Sequence, residues 1–305
     1  MAGVIIMSSF SIGRLAFRRG TFLLAWAFLF IFCPAEPADA SEEVSDRWET
    51  TLFPASELYP AYAADPQRTG FGVQWLNFTD TSIPDSGSRR VALRAGGRFG
   101  VARMHPAGEE DRGWQVSLEG GFNAQFDAVH SLDNIGWDGR YGLVVSSVQS
   151  DRWAFKFGVL HDSAHVGDEY AERTGRKRIG YTRHELAAGA SWFPEKQMRT
   201  YVEAGWGYEL SNKELQEPGR IQFGLEYELP LWPGKNRIGW YGAADFSAME
   251  ERDWRLDRSL QAGLVTHRGG RSWRFGIEWY SGRPPLGEFF QYTEEYVSLG
   301  LWIDI

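Results

Sequence analysis

From residue 68 to the C-terminus, apolar and polar side chains alternate with a period of two, segment after segment. Val202, Ala204, Trp206, Tyr208 and Leu210 fall on one side of an extended segment, with Glu203, Gly205, Gly207 and Glu209 on the other. Ile221, Phe223, Leu225, Tyr227 and Leu229 oppose Gln222, Gly224, Glu226 and Glu228, and Trp273, Phe275, Ile277 and Trp279 oppose Arg274, Gly276, Glu278 and Tyr280. Successive side chains of a strand point to opposite faces, so each segment has one greasy side and one charged or glycine-bearing side. A helix needs apolar residues three and four apart, a spacing that does not compete here. The pattern predicts twelve strands, over residues 68–79, 89–104, 113–127, 138–149, 152–163, 177–193, 199–211, 219–231, 237–248, 255–267, 271–281 and 294–305. An even number of antiparallel strands can close without leaving an edge. The expected fold is all-β: a twelve-stranded antiparallel transmembrane β-barrel of the outer membrane. Lipid meets the aromatic faces, and acids, bases and glycines fill a narrow lumen. A chain with 14 Trp and 35 Gly suits that reading better than a soluble sandwich.

Residues 1–40 read as a secretory signal that is removed. Arg18 and Arg19 precede an apolar run from Thr21 to Phe32, and Ala38-Asp39-Ala40 is a small-residue cleavage site. The run is shorter than the roughly 20 residues a membrane helix needs. The one Cys, Cys33, lies inside this signal, so no internal disulfide is possible. Removing residues 1–40 leaves 29 basic and 38 acidic side chains, an acidic exported chain that is a poor match for nucleic acid. Residues 41–67 are polar and punctuated by Pro54, Pro60 and Pro66, which predicts an irregular N-terminal segment in the periplasm, partly tucked into the lumen. Residues 68–305 form the barrel. If the first strand runs outward, the connections near 150–151, 194–198, 232–236 and 268–270 are short periplasmic turns. Those at 164–176 and 282–293 are then long external loops.

The chemistry concentrates where the fifth predicted strand meets its external loop. Trp153, Phe155, Phe157 and Val159 share the lipid side, and parity carries His161 and Ser163 onto the same side. Two strand rises, roughly 6.6 Å, separate their Cα atoms, so an imidazole can reach the hydroxyl. Ser163 is the candidate nucleophile and His161 its base; Asp168, Glu169, Arg178, His165 and His184 are candidates for the orienting or charge-stabilising third group. Asp162, Asp168 and Glu169 are candidate calcium ligands. Zinc on His161 and His165 would need a third protein ligand. The blander reading is a polar rim whose acids bridge cations to lipopolysaccharide. Asp127, Asp245, Glu250, Glu251 and Asp253 read as rim charges or loop caps, and Glu203, Glu209, Glu226, Glu228 and Glu278 as lumen acids pairing with Arg274 and other bases.

The run His161-Asp162-Ser163-Ala164-His165-Val166-Gly167-Asp168-Glu169 resembles the His-x-Ser-x-His-x-Gly-Asp-Glu run of domain-of-unknown-function family 1207, a group of bacterial outer-membrane barrels. Ala64-Asp65-Pro66, Glu119-Gly120-Gly121, Gln125-Phe126-Asp127, Tyr181-Thr182-Arg183 and Glu251-Arg252-Asp253-Trp254 resemble it too, so the likeness spans nearly the whole chain after the signal. It implies fold and location, and no activity. More distantly, the chain is similar to outer-membrane phospholipase A, a calcium-dependent twelve-stranded barrel with an exterior His-x-Ser pair. There the next strand carries Asn followed by Arg-x-Tyr-Thr-Arg; here Tyr181-Thr182-Arg183 matches the end of that run, and Arg178 stands where the Asn would be. Lipid A deacylase is similar in using an exterior His-x-Ser with a Glu, for which Glu169 is the counterpart.

These readings predict an outer-membrane barrel of a Gram-negative bacterium that hydrolyses an acyl ester of an outer-leaflet lipid. The alternative is a non-catalytic structural or binding barrel, or a narrow channel. Outer-leaflet lipid or lipopolysaccharide is the expected partner, calcium the expected cation, and a homodimer through the aromatic exterior an open option.

Overall fold

The computed structural model describes residues 47–231 and 238–304. The predicted signal and cleavage site, and the 232–236 turn, lie outside the described residues. Among the described residues there are thirteen strands: β1 (Trp48–Leu52), β2 (Phe71–Thr81), β3 (Arg89–Pro106), β4 (Gly113–Asp127), β5 (Asp133–Ser150), β6 (Trp153–Val166), β7 (Thr182–Glu195), β8 (Met198–Leu210), β9 (Gly219–Pro230), β10 (Ile238–Met249), β11 (Leu256–Arg268), β12 (Arg271–Gly282) and β13 (Glu294–Ile303). A seven-residue helix, α1 (Asp168–Thr174), follows β6. Strands β2 to β13 pair antiparallel with their sequence neighbours, and β13 pairs with β2, so twelve strands close the barrel. The short β1 lies against the far end of β3, with Trp48 opposite Pro106 and Leu52 opposite Ala102.

The expected faces hold. Phe155, Phe157, Val159, Phe223, Leu225, Tyr227, Phe275, Ile277, Val297, Leu299 and Leu301 are all exposed on the outside. A soluble monomer rarely exposes so continuous an apolar surface. Inside, charge is buried but paired, as a low-dielectric interior requires. Glu203 binds Lys156 and Arg220, each at 2.5 Å; Glu185 binds Arg183 at 2.7 Å and Arg220 at 2.6 Å; and Arg90 binds Glu294 at 2.7 Å. Three of the expected lumen acids behave differently. Glu278 bonds Tyr296 and Gln261 while Arg274 pairs with Asp304, Glu209 is exposed at the end of β8, and Glu228 meets His267 at one mouth of the barrel. Asp245, expected at the rim, is buried in the lumen and accepts the Tyr201 hydroxyl at 2.7 Å.

Beyond Phe53, which packs on Phe99 at the surface, the N-terminal segment is drawn into the lumen. Its main-chain oxygens satisfy inward-pointing arginines: Arg98 donates to Tyr59, Arg199 to Pro60 and Ala61, Arg94 to Asp65, and Arg103 to Ser56. Tyr62 stacks on Tyr201 with ring centroids 3.8 Å apart. A lumen cavity lined by Asp138, Arg140, Asp162, Arg183, Glu185 and Arg220 measures about 30 Å³, room for about two waters. The wall and the segment thus form one packed polar interior.

The two ends differ. At the loop end, the β12–β13 connection folds inward and buries Leu286, Phe289 and Phe290. Ile83, Ile135, Val166 and Tyr170 pack with Leu286 and Phe289. Glu288, nearly fully buried, accepts the main-chain N–H groups of Ile179, Gly180 and Tyr181 at 2.7, 2.7 and 3.2 Å. That contact explains why β7 starts at Thr182 and not at residue 177: the backbone donors just before it are used by a loop more than a hundred residues away. The turn end is made of tight connections such as Asp151-Arg152 and Gly269-Gly270.

Candidate active site

Strand β6 carries its site residues to the loop end. Its ladder with β5 continues to Val166, whereas its ladder with β7 stops at the Ser163–Thr182 pair. Gly167 then turns the chain into α1. A Cβ there would lie 1.8 Å from the Asn134 carbonyl oxygen, so only glycine permits this close approach.

His161, Ser163 and His165 all face outward, as the alternation predicts, and each is partly exposed. Their neighbours on the flanking strands decide their roles. His161 lies between Tyr141 and His184 in the register; its ring stacks on Tyr141 at 4.4 Å and its Nδ1 lies 3.2 Å from His184 Nε2. His165 stacks on Trp137, with centroids 4.1 Å apart. The Ser163 hydroxyl has His165 Nε2 at 3.5 Å as its partner, not His161. This replaces the expected His161–Ser163 pair. The contact is at the outer limit of a hydrogen bond, as unliganded catalytic pairs often are.

Gly139 stands opposite Ser163 on β5. A Cβ on it would meet only Trp137 at 3.6 Å and the Ser163 hydroxyl at 3.7 Å. The missing side chain leaves a notch above the hydroxyl, walled by Trp137 and His165 on one side and Tyr141 and His161 on the other. Across β6, Thr182 places a second hydroxyl-bearing residue on the same face. Trp137, Gly139 and Tyr141 were not singled out from sequence, and Thr182 was noted only within the Tyr181-Thr182-Arg183 run. Their signal was available in the alternation of β5 and β7, but only the register shows which of them flank Ser163.

The acidic candidates are elsewhere. Asp162 has the opposite parity, points into the lumen and is gripped by Arg140 at 2.6 and 3.1 Å. Asp168 and Glu169 occupy the first turn of α1, exposed to solvent, and Asp168 pairs with Arg178 at 2.8 Å. Arg178 lies in the connection before β7, not on the strand, because Glu288 holds Ile179 to Tyr181 out of the ladder. Asp162, Asp168 and Glu169 therefore do not converge into a calcium cradle: one carboxylate is inside the barrel and bound to an arginine, the other two outside. Among the described residues no three His, Cys, Asp or Glu side chains are grouped as metal ligands. His161 and His184 form only a pair, and His165 is turned to Trp137, so zinc lacks its third ligand.

No curated protein matches the chain. Among solved structures, outer membrane phospholipase A from Escherichia coli is 9% identical over 78% of this chain and 92% of that one, with a TM-score of 0.51. The Salmonella typhi outer membrane phospholipase dimer with bound calcium is 10% identical over 81% and 91%, with a TM-score of 0.49. LpxR from Salmonella typhimurium is 7% identical over 78% and 100%, with a TM-score of 0.38. The first of these likenesses supports the barrel fold alone. The family described as "Protein of unknown function (DUF1207)" matches residues 38–304, and the chain belongs to that family.

Proposed function

We propose that this is an outer-membrane barrel that hydrolyses an acyl ester of an outer-leaflet lipid, with Ser163 as nucleophile and His165 as its base. The observation that carries the reading is the outward-facing Ser163–His165 contact beneath the Gly139 notch. A hydroxyl and an imidazole where the apolar face of a barrel reaches its loop end stand at a boundary between lipid and water, and a lumen-filling network has no use for them there. His165 with its proton on Nδ1 presents the Nε2 lone pair to Ser163, and the Trp137 stack limits rotation of the ring. Ser163 Oγ attacks the carbonyl carbon while its proton passes to Nε2. His165 returns the proton to the departing alcohol, and water then clears the acyl-serine by the same relay. Thr182 offers a donor toward the developing oxyanion. His161 and His184 form the adjacent wall, and no step is routed through Asp162, Asp168, Glu169, Arg178 or calcium.

The packed interior argues against a channel. The exposed Asp168 and Glu169 favour, as the second reading, a non-catalytic barrel whose loop acids bridge cations to lipopolysaccharide. The test is to incubate the purified barrel with phospholipids and with lipid A and to follow acyl loss by mass spectrometry. Loss by the wild type, absent in folded Ser163→Ala and Ser163-intact His165→Ala, is expected. Equal acyl loss by wild type and Ser163→Ala, or none from either on both lipids, overturns the hydrolase reading.

A further inference from the structure

At the turn end, far along the strands from Ser163, a second serine and histidine meet a carboxylate. Ser272 near the start of β12 is the register partner of His267 near the end of β11, across the Gly269-Gly270 turn. The Ser272 hydroxyl is 3.1 Å from His267 Nδ1, and His267 Nε2 is 2.7 Å from Glu228 Oε2. Glu228 belongs to β9, two strands from His267. Between them on β10 lies Gly239, paired with Val265 on one side and Pro230 on the other. A Cβ on Gly239 would lie 2.8 Å from the Leu229 carbonyl oxygen, so the strand passes close beneath the contact. The three groups lie in series, as nucleophile, base and orienting acid, and His267 and Glu228 are about half-exposed at the barrel mouth. His267 and Glu228 line a cavity of about 270 Å³ together with Lys196, Gln197, Pro230 and Gly239, and Ser272 stands behind His267. The backbone ladder from Arg258–Ser281 to Arg268–Arg271 already holds β11 to β12, so this relay is not needed to close the hairpin.

We propose that Ser272, His267 and Glu228 form a second acyl-transfer site, which takes small esters that carry an anionic group near Lys196. With Nε2–H donated to Glu228, the Nδ1 lone pair accepts the Ser272 proton as Oγ bonds to the carbonyl carbon. The bond to the leaving alcohol breaks and that alcohol takes the proton from Nδ1. Water, deprotonated by His267, then releases the acid and restores Ser272. Glu228 acts through His267 as a positioning residue.

The test uses the whole barrel in detergent carrying Ser163→Ala, so that labelling is independent of the exterior site. It is treated with a fluorophosphonate and the adduct mapped by peptide mass spectrometry between about pH 6 and 9. The expected result is an adduct on Ser272, formed at least about tenfold more slowly in His267→Ala. Glu228→Gln slows labelling and moves the acid limb of its pH–rate profile to lower pH, because the imidazolium loses its stabilising carboxylate. A folded barrel with no adduct on Ser272, or a His267→Ala variant labelled at the parental rate, overturns the proposal. A Glu228→Gln profile of unchanged position removes Glu228 from the relay.

Discussion

Tyr62 is where the inserted segment grips the barrel, and its replacement tests whether that segment is structural. Its ring lies 3.8 Å from Tyr201 at an interplanar angle of 8°, under the Lys156 ammonium at 4.4 Å. Its hydroxyl donates to Glu203 at 2.9 Å and accepts from Tyr59 at 2.8 Å. Tyr62→Phe removes only the hydroxyl. A hydrogen bond to a charged group contributes about 1.5–3 kcal/mol, and the lower end applies because Glu203 keeps Lys156 and Arg220. Tyr62→Ala removes the ring as well. Aromatic truncation in a core costs about 3–5 kcal/mol, and the upper half applies because the stack and the cation–π contact go with it. Urea unfolding in phospholipid vesicles, followed by tryptophan fluorescence, is the assay. Tyr62→Phe is expected about 1.5 kcal/mol below wild type and Tyr62→Ala about 4–5 kcal/mol below. Equal losses in the two variants would assign the stabilisation to the hydroxyl network and not to the stack. A Tyr62→Ala barrel within about 1 kcal/mol of wild type would refute the structural role of the segment altogether.

Three further outcomes follow from named contacts. Gly139→Val places methyl groups over the Ser163 hydroxyl; the barrel should fold normally and lose at least about tenfold in lipid turnover, about 1.4 kcal/mol of barrier, measured by acyl release. Glu288→Ala strands three main-chain donors, so amide exchange across residues 175–181 and 283–293 should rise by about a hundredfold or more while the central strands stay protected, as read by hydrogen-exchange mass spectrometry. Glu251, in the β10–β11 connection, accepts from Tyr181 at 3.0 Å and Arg283 at 3.2 Å, yet burial holds its carboxyl above the ordinary value of 4.5, against the pull of Arg283. A carboxyl that binds its proton more tightly in the folded state stabilises most at or below the unfolded value, and that contribution is lost as pH rises through the folded one. Unfolding midpoints should therefore fall from about pH 4.5 upward, and Glu251→Gln should flatten that part of the profile.

The barrel was legible because its wall separates two environments and a period of two records both. Most strand ends fall within a few residues of the predicted ones, and the start of β7 moved because a distant group intervened. Nothing local to residues 177–181 announces that Glu288 will take their N–H groups, so the alternation there read as strand. The five-residue β1 was missed for a related reason: Trp48 to Leu52 carries no clear alternation and pairs with β3 some fifty residues away.

The same logic sorts the site. Parity alone puts His161, Ser163 and His165 outside and Asp162 inside, so the sequence already separated Asp162 from any cation site that included the hydroxyl's face. Choosing between His161 and His165 as the base was beyond it, because both stand two residues from Ser163 on the same side. The choice is made laterally: His184 on β7 engages one imidazole, Trp137 on β5 the other, and the empty Gly139 position leaves the hydroxyl open to His165. The relay at the turn end shows the converse. Once Gly269-Gly270 is read as a two-residue turn, His267 and Ser272 must face each other, so that half was available from spacing. Glu228 was not, since it arrives from two strands away, across β10. In a barrel, then, the residues that make chemistry are read along a strand, but their partners are set across strands.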